Sequence, residues 1–374
     1  MIYLDYSATT PVNKGVLDTF NKINLEFIGN ANSLHSIGIN ANKLINKSTE
    51  QIKELLNTNM EVIYTSGSSE ANNLAIKGIA FKYQNRGKHI ITTHFEHSSV
   101  YGPLNYLEKL GFEISYVETD NNGIINLTKL EELIREDTIL VTVNAVNSEI
   151  GIVQPIEKIG KILKKYPKCF FHVDLTQAIG KINVNLDNID LASFSAHKIY
   201  GLKGIGCLLK NSNILLEPLI NGGKSTTNYR SGTPAHPLIA SLAKSLRLAT
   251  IDLEDNYNKV KEINDYLKKE LIKYDDVYIN SNIYCLPHIL NISILGIKAE
   301  TFMHALSKYD VYVSTKSACS DEESMSQSVY ALTSNKELAK SSIRISLSYL
   351  TTFEEIQKFL IIFSKVYNEL KSLG

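Results

Sequence analysis

"VIYTSGSSEANNLAI", residues 62–76, passes from a β-rich apolar run, through a turn of small residues at Gly67, Ser68 and Ser69, into a segment whose apolar residues keep helical spacing. The same order recurs downstream. The runs 61–66, 89–93, 113–118, 138–144, 169–174 and 191–195 read as strands, helical patterns stand at 72–84, 100–111 and 156–166, and 204–210 adds a further strand. Strands that alternate with helices predict an α/β fold with a mostly parallel central sheet, because parallel neighbours need crossover connections and helices supply them. Beyond about Leu253 the rhythm changes: a long polar helix over 253–274 leads into shorter α+β material and a final helix over 352–371. The expected division is a large domain of residues 13–255 and a smaller α+β domain of residues 1–12 and 256–374.

The chain has 374 residues, 44% of them hydrophobic and 21% charged, which is enough apolar material for a sizeable core. Thirty-nine basic side chains balance thirty-nine acidic ones. No net charge draws the chain to nucleic acid or to an anionic membrane, so small molecules or proteins are the expected partners. The start, "MIYLDYSATT", has no basic segment followed by an apolar core, and no apolar run approaches the roughly 18 residues that span a bilayer; the expected location is the cytoplasm. Cys169, Cys207, Cys285 and Cys319 are widely spaced with no C-x-x-C pair, which predicts neither a metal site nor a disulfide framework.

In an open α/β sheet ligands sit beyond the carboxyl ends of the strands, so polar residues that close apolar runs are the candidates for chemistry. Free N–H groups at Gly67–Ser69, helped by the dipole of the following helix, form a seat for a phosphate, while Ser69 also suits a plain N-cap. No lysine follows in the Walker spacing and no G-x-G-x-x-G opens the helix, which argues against an NTPase or a nicotinamide enzyme. Asp174 ends the apolar run 169–174, where an ionised carboxylate needs a protonated pyridine nitrogen, an arginine or a helix N-terminus as partner. Lys198 follows the next strand at the mouth of the same crevice, where low-dielectric walls favour a neutral amine able to form a Schiff base with an aldehyde. A phosphate seat, a carboxylate for a ring nitrogen and such an amine are together what pyridoxal 5'-phosphate asks of a protein.

The ordered segments "LDYSATTP" (4–11), "TSGSSEANNLAI" (65–76), "EHSSV" (96–100), "VNSEIG" (146–151), "HVDLTQAIGK" (172–181), "SFSAHKIYGLKGIG" (193–206), "RSGT" (230–233), "SACS" (317–320) and "SSIRISL" (341–347) cover nearly the whole chain. Together they closely resemble the cysteine desulfurases, pyridoxal-phosphate enzymes of the class V aminotransferase group, in the long-loop type that carries the "SACS" cysteine. The resemblance implies the fold type I architecture of pyridoxal-phosphate transferases. It implies conversion of L-cysteine to L-alanine, with the sulfur held as a persulfide on Cys319 and passed to an acceptor protein. Lys198 corresponds to the lysine that holds the cofactor and moves the Cα proton, and His97 to the histidine that stacks on the ring and shuttles protons. Asp174 corresponds to the partner of the pyridine nitrogen, Gln177 to the donor on the phenolic oxygen, and Asn147 to a residue beside ring and substrate. Ser68, Ser69, Ser195 and His197 match the phosphate grip. Thr233 matches a residue that reaches the phosphate of a neighbouring subunit, which implies a homodimer. Arg344 matches the arginine that holds the substrate carboxylate in a bidentate fork.

Cys319 lies in "STKSACSDEESMSQS", a polar stretch that suits an exposed loop, whereas the other three cysteines sit in or beside apolar runs and are expected to be buried and inert. The residues after Cys319 are more acidic than the family pattern and lack its Leu-Glu-Pro run. The chain also ends at Gly374, soon after its last helix. An iron–sulfur scaffold and a tRNA- or thiamine-directed sulfurtransferase therefore stand on equal footing as acceptors. A selenocysteine lyase or another class V aminotransferase would share the cofactor site without depending on Cys319.

Overall fold

The computed structural model describes residues 1–315 and 325–372. The first strand, β1 (Ile2–Tyr3), precedes seven that build the main sheet: β2 (Glu61–Thr65), β3 (His89–Thr92), β4 (Glu113–Tyr116), β5 (Thr138–Asn144), β6 (Phe170–Asp174), β7 (Leu191–Ser195) and β8 (Gly206–Lys210). Their order across the sheet is β2-β8-β7-β6-β5-β3-β4. From β7 to β4 every neighbouring pair is parallel, and β8 alone runs against both of its neighbours. The reason is the short β7–β8 connection, which leaves no room for a helical crossover and so returns the chain antiparallel. All seven strands fall on the runs expected from sequence.

Every residue of β5, β7 and β8 is buried, as a sheet covered on both faces requires. The helix Ser68–Tyr83 packs on one face through Leu74, Ala75 and Ile79, and a larger apolar cluster built on Val143, Phe171, Val173 and Phe194 fills the other. That helix begins earlier than the pattern at 72–84 indicates, because Gly67 takes the N-cap position and Ser68 already turns. Three helices that the apolar pattern does not mark, Lys14–Glu26, Ser36–Leu55 and His236–Ile251, pack together with His236–Ile251 in the middle.

A second apolar cluster gathers Ile2, Leu4, Phe302, Ile343, Phe359 and Phe363. Around it stand β9 (Val277–Ile279), β10 (Ile289–Ile294), β11 (Val311–Tyr312) and β12 (Ser342–Ser346), with the helices Leu253–Leu271, Ala299–Ser307 and Phe353–Lys371. The strands β12-β10-β9 form an antiparallel sheet, and β1 pairs in parallel with β11. The first residues of the chain thus join its last third. Thr352 and Glu355 cap the final helix reciprocally, which explains its sharp start. Among the described residues no helix is long and apolar enough to cross a membrane.

Candidate active site

Register aligns Asn144 of β5 with Asp174 of β6, and Asp174 with Ser193 of β7, so the carboxyl ends of these strands form one polar row. Beyond it lies a cavity of about 410 Å³. Eight residues expected from sequence stand on its wall: Ser68, Ser69, His97, Asp174, Gln177, His197, Lys198 and Arg344.

Lys198 closes a single 3-10 turn, Ala196–Lys198, directly after β7. Thr10 pins that turn from outside, its N–H and its hydroxyl both donating to the His197 carbonyl, at 2.9 and 3.0 Å. The amine donates to the carbonyls of Ser7 and Ala8, at 2.6 and 2.7 Å. Burial lowers its pKa to about 8; the Arg344 guanidinium adds to this, while Asp5 and Asp174 oppose it. Two residues later Tyr200 has φ 61°, the left-handed region that a bulky side chain avoids. Its N–H donates to Thr10 Oγ1 at 2.8 Å and its hydroxyl bonds Ser348, so neighbouring contacts hold a strained turn just past the lysine.

Asp174 is buried, and its carboxylate accepts from Asn72 Nδ2 at 2.8 Å and from the Thr176 N–H at 2.9 Å. Both donors are neutral. Among the described residues no basic side chain forms an ion pair with it, so a carboxylate on the cavity wall has no cation of the protein's own, and the nearby Thr176 hydroxyl is buried without a partner. A protonated ring nitrogen fits that need. Opposite, the helix Ser68–Tyr83 starts with no side chain capping it, and Ser68 and Ser69 line the cavity with its first turn. Ser69 is therefore not the N-cap. Open N–H groups and two hydroxyls at a helix start suit a phosphate. Gly206 permits the arrangement, because a Cβ there would lie 2.6 Å from the Phe194 carbonyl and 2.8 Å from the Gly67 backbone.

His97 is the N-cap of the helix Ser98–Glu108. The Ser99 N–H donates to its Nδ1 at 3.1 Å, so the neutral ring carries its proton on Nε2. Surrounding protein lowers its pKa chiefly by displacing water. The same effect, with Lys198, Lys203 and Lys181 adding to it, takes His197 down to about 4. Burial thus favours the neutral form of both rings.

Arg344, on β12, is buried, with one nitrogen donating to Asp5 Oδ1 at 2.8 Å and another to the Ser148 carbonyl at 2.9 Å. Its Nε has no partner. The guanidinium is thus fixed at two corners on the cavity wall with donor capacity left over, which suits a carboxylate.

Three expected residues stand elsewhere. Asn147 spends its amide on the Phe95 carbonyl, Ser328 Oγ and the N–H groups of Glu149 and Ile150, and so orders a turn instead of lining the cavity. Ser195 is buried near Gly67, with its hydroxyl 3.4 Å from the Ile205 carbonyl. Thr233 is exposed, in a segment tied back to the Ser68–Tyr83 helix by the Arg230–Glu70 ion pair at 2.9 Å. Cys319 lies outside the described residues. Burial raises the thiols of Cys169 to about 12 and Cys285 to about 11, and Cys207 well above its usual value, so none of the three supplies thiolate readily.

The family model for "Aminotransferase class-V" matches residues 2–359. Two curated relatives share the whole chain: the "Cysteine desulfurase IscS" of Dictyoglomus turgidum, 38% identical with 96% of its length covered, and that of Buchnera aphidicola subsp. Schizaphis graminum, 41% identical with 94% covered. The chain belongs to the cysteine desulfurases of the class V aminotransferase family. Among solved structures, a "NIFS-LIKE PROTEIN" superposes with a TM-score of 0.92 at 34% identity, covering 99% of both chains. "SspA in complex with cysteine" gives 0.82 at 32% identity, covering 94% of this chain and all of that one. The fold is accordingly type I of the pyridoxal-phosphate enzymes, and within it the cysteine desulfurases act on L-cysteine and transfer its sulfur.

Two residues that support the wall from behind are not marked by the sequence pattern. Asn72, the donor to Asp174, is a fully buried polar residue inside "EANNLAI", and its place on the inner helical face was the available signal. Asp5, the anchor of Arg344, is more than three hundred residues away in sequence; the β1–β11 pairing and the bridge of Asp5 itself to Ser346, at the end of β12, bring it there.

Proposed function

We propose that this chain takes the sulfur from L-cysteine, releases L-alanine, and carries the sulfur as a persulfide on Cys319 to an acceptor protein. The observation that supports it most is the buried Asp174 without a cation, in one cavity with the lowered Lys198 amine and the half-used Arg344 guanidinium. Bound there, pyridoxal 5'-phosphate supplies an aldehyde for a lysine amine and a cationic ring that draws electrons from the substrate Cα. In this reading Ser68, Ser69 and His197 hold its phosphate, with Ser195 behind that seat beside Gly67, Asp174 holds its ring nitrogen and Gln177 its phenolic oxygen, and Asn147 orders the wall beside it.

Lys198, freed when substrate arrives, takes the Cα proton, and a neutral His97 moves protons at the cavity mouth. Arg344 grips the carboxylate of L-cysteine and fixes which bond faces the base. The Cys319 thiolate forms an S–S bond with the substrate sulfur as the Cβ–S bond breaks, and Cβ is protonated. L-cysteine plus a thiol gives L-alanine plus a persulfide, so no outside oxidant or reductant is needed. The division into residues 13–255, which build the cofactor site, and residues 1–12 with 256–374, which bring Asp5 and Arg344, is part of this proposal. So is a homodimer in which Thr233 reaches the partner's phosphate seat; Leu25, Ile28 and Leu34, exposed close together in sequence, support it. The acceptor is an iron–sulfur scaffold or a tRNA- or thiamine-directed sulfurtransferase.

The test is to give L-cysteine and a thiol reductant to the purified, pyridoxal-phosphate-loaded protein. Alanine and released sulfur are expected in equal amounts. Alanine that depends on an added keto acid would mean a transaminase instead.

Arg344→Ala is expected to raise the apparent KM for L-cysteine about 10- to 150-fold, from the roughly 1.5–3 kcal/mol of a charge-assisted contact, with cofactor absorbance unchanged. Arg344→Lys recovers part of this. An unchanged KM removes Arg344 from substrate binding.

A further inference from the structure

Lys181 is a second lysine close to the site, and none of the roles above uses it. It is buried and lies in the field of Lys198 and Arg344. A turn after β6 brings it back toward Gln177, and the turn needs glycine at 180, where φ is 71° and a Cβ would meet Ala249 at 2.8 Å. The Lys181 ammonium donates to Gln177 Oε1 at 2.6 Å. On the other side Gln177 Nε2 donates to the Ser7 carbonyl at 3.0 Å. The Ser7 carbonyl only accepts, which turns Nε2 toward it and Oε1 toward Lys181, and the lysine nitrogen has hydrogens to donate whether charged or neutral, so the two contacts fix the amide in the same sense. The Ser7 carbonyl also accepts from Lys198 Nζ at 2.6 Å, which puts the N–H side of the Gln177 amide next to the amine that would carry the cofactor. Nε2 has two hydrogens and Ser7 uses one. Among the described residues the other meets no acceptor and can serve one beside Lys198, and in pyridoxal phosphate the phenolic oxygen adjoins the aldehyde carbon.

We propose that Lys181 is a positioning residue, which by holding the Gln177 oxygen commits the amide N–H to the phenolic oxygen of the cofactor bound at Lys198. This rests on the cofactor reading above and adds a residue to it. Without Lys181 the amide oxygen would be buried with no donor, a costly state that the side chain escapes by leaving its position. The phenolate would then lose its N–H. Burial lowers the Lys181 amine to about 7, with Lys198 and Arg344 adding to the effect; His197 and His288 are the other titratable groups that feel its charge.

The test is a pH titration of the visible absorbance of the loaded protein. A hydrogen bond to the phenolate favours the deprotonated chromophore, so Lys181→Met is expected to raise the midpoint by roughly one pH unit, a tenfold change in the protonation equilibrium. Gln177→Ala should give a similar rise, and the double variant no more than either alone, because both remove one contact. Lys181→Arg, which keeps a donor, should stay near the wild type. Lys181→Gln, too short to reach, serves if the methionine variant does not fold by circular dichroism, with the same rise expected. A wild-type midpoint in Lys181→Met beside a shifted Gln177→Ala, or additive shifts in the double variant, would overturn the proposal. A wild type with no visible chromophore would overturn the cofactor reading instead.

Discussion

Replacing Lys198 by Ala is expected to lower cysteine-dependent alanine formation by roughly 10³-fold or more, since in the proposed mechanism the residue is both covalent anchor and base, and acid–base assistance alone is worth about 10²–10⁴-fold. The cofactor should still be retained through Asp174 and the uncapped start of the Ser68–Tyr83 helix, but borohydride should no longer fix it to the chain. The wild type offers a companion signature. Only a neutral amine attacks an aldehyde, and burial brings the Lys198 amine down to about 8. Attachment of pyridoxal phosphate to the cofactor-free protein should therefore accelerate about tenfold per unit as pH rises towards 8 and level off above it. A rate still climbing at pH 10, or a reduced pyridoxyl group found on another lysine, would mean that the anchor is elsewhere.

The second large effect belongs to Cys319. In the proposed mechanism every step up to loss of the Cα proton draws on Lys198, Asp174 and Arg344, whereas removal of sulfur needs a thiolate. Cys319→Ser keeps the size and loses the nucleophile, because a serine hydroxyl stays protonated where a cysteine is at least a few per cent ionised. Alanine formation should fall about a hundredfold or more while L-cysteine still perturbs the cofactor spectrum. Cys169, Cys207 and Cys285 are poor substitutes, since burial holds all three thiols protonated. Undiminished turnover in the serine variant would favour a lyase or an aminotransferase that works without the cysteine.

Much of this was readable in the sequence, for definite physical reasons. The central strands β5, β6 and β7 are short, mainly apolar runs bounded by polar turns, because a sheet covered on both faces buries nearly every side chain, and the polar residue that ends such a parallel run stands at the crevice. Asp174 and Lys198 were visible in that way. The helix Ser36–Leu55 was not, since it buries Gly38, Ala41 and Ser48 on the same face as Ile45 and Ile52, and small residues leave little hydrophobic signal. His236–Ile251 is buried on most sides and blurs the amphipathic period instead. Roles that depend on which side-chain atom faces which neighbour were also out of reach. Asn147 looks like a wall residue by position, yet its amide is spent within a turn. Lys181 looks like a surface charge until the turn at Gly180 points it at Gln177.

The most direct measurement is to locate the transferred sulfur. The loaded wild-type protein is exposed briefly to L-cysteine, alkylated without reduction, digested and mapped by mass spectrometry. One additional sulfur on the peptide containing Cys319, and none on those containing Cys169, Cys207 or Cys285, is the expected result. Alanine produced with no added sulfur on Cys319, or with the sulfur mainly on Cys169, Cys207 or the half-buried Cys285, would contradict it.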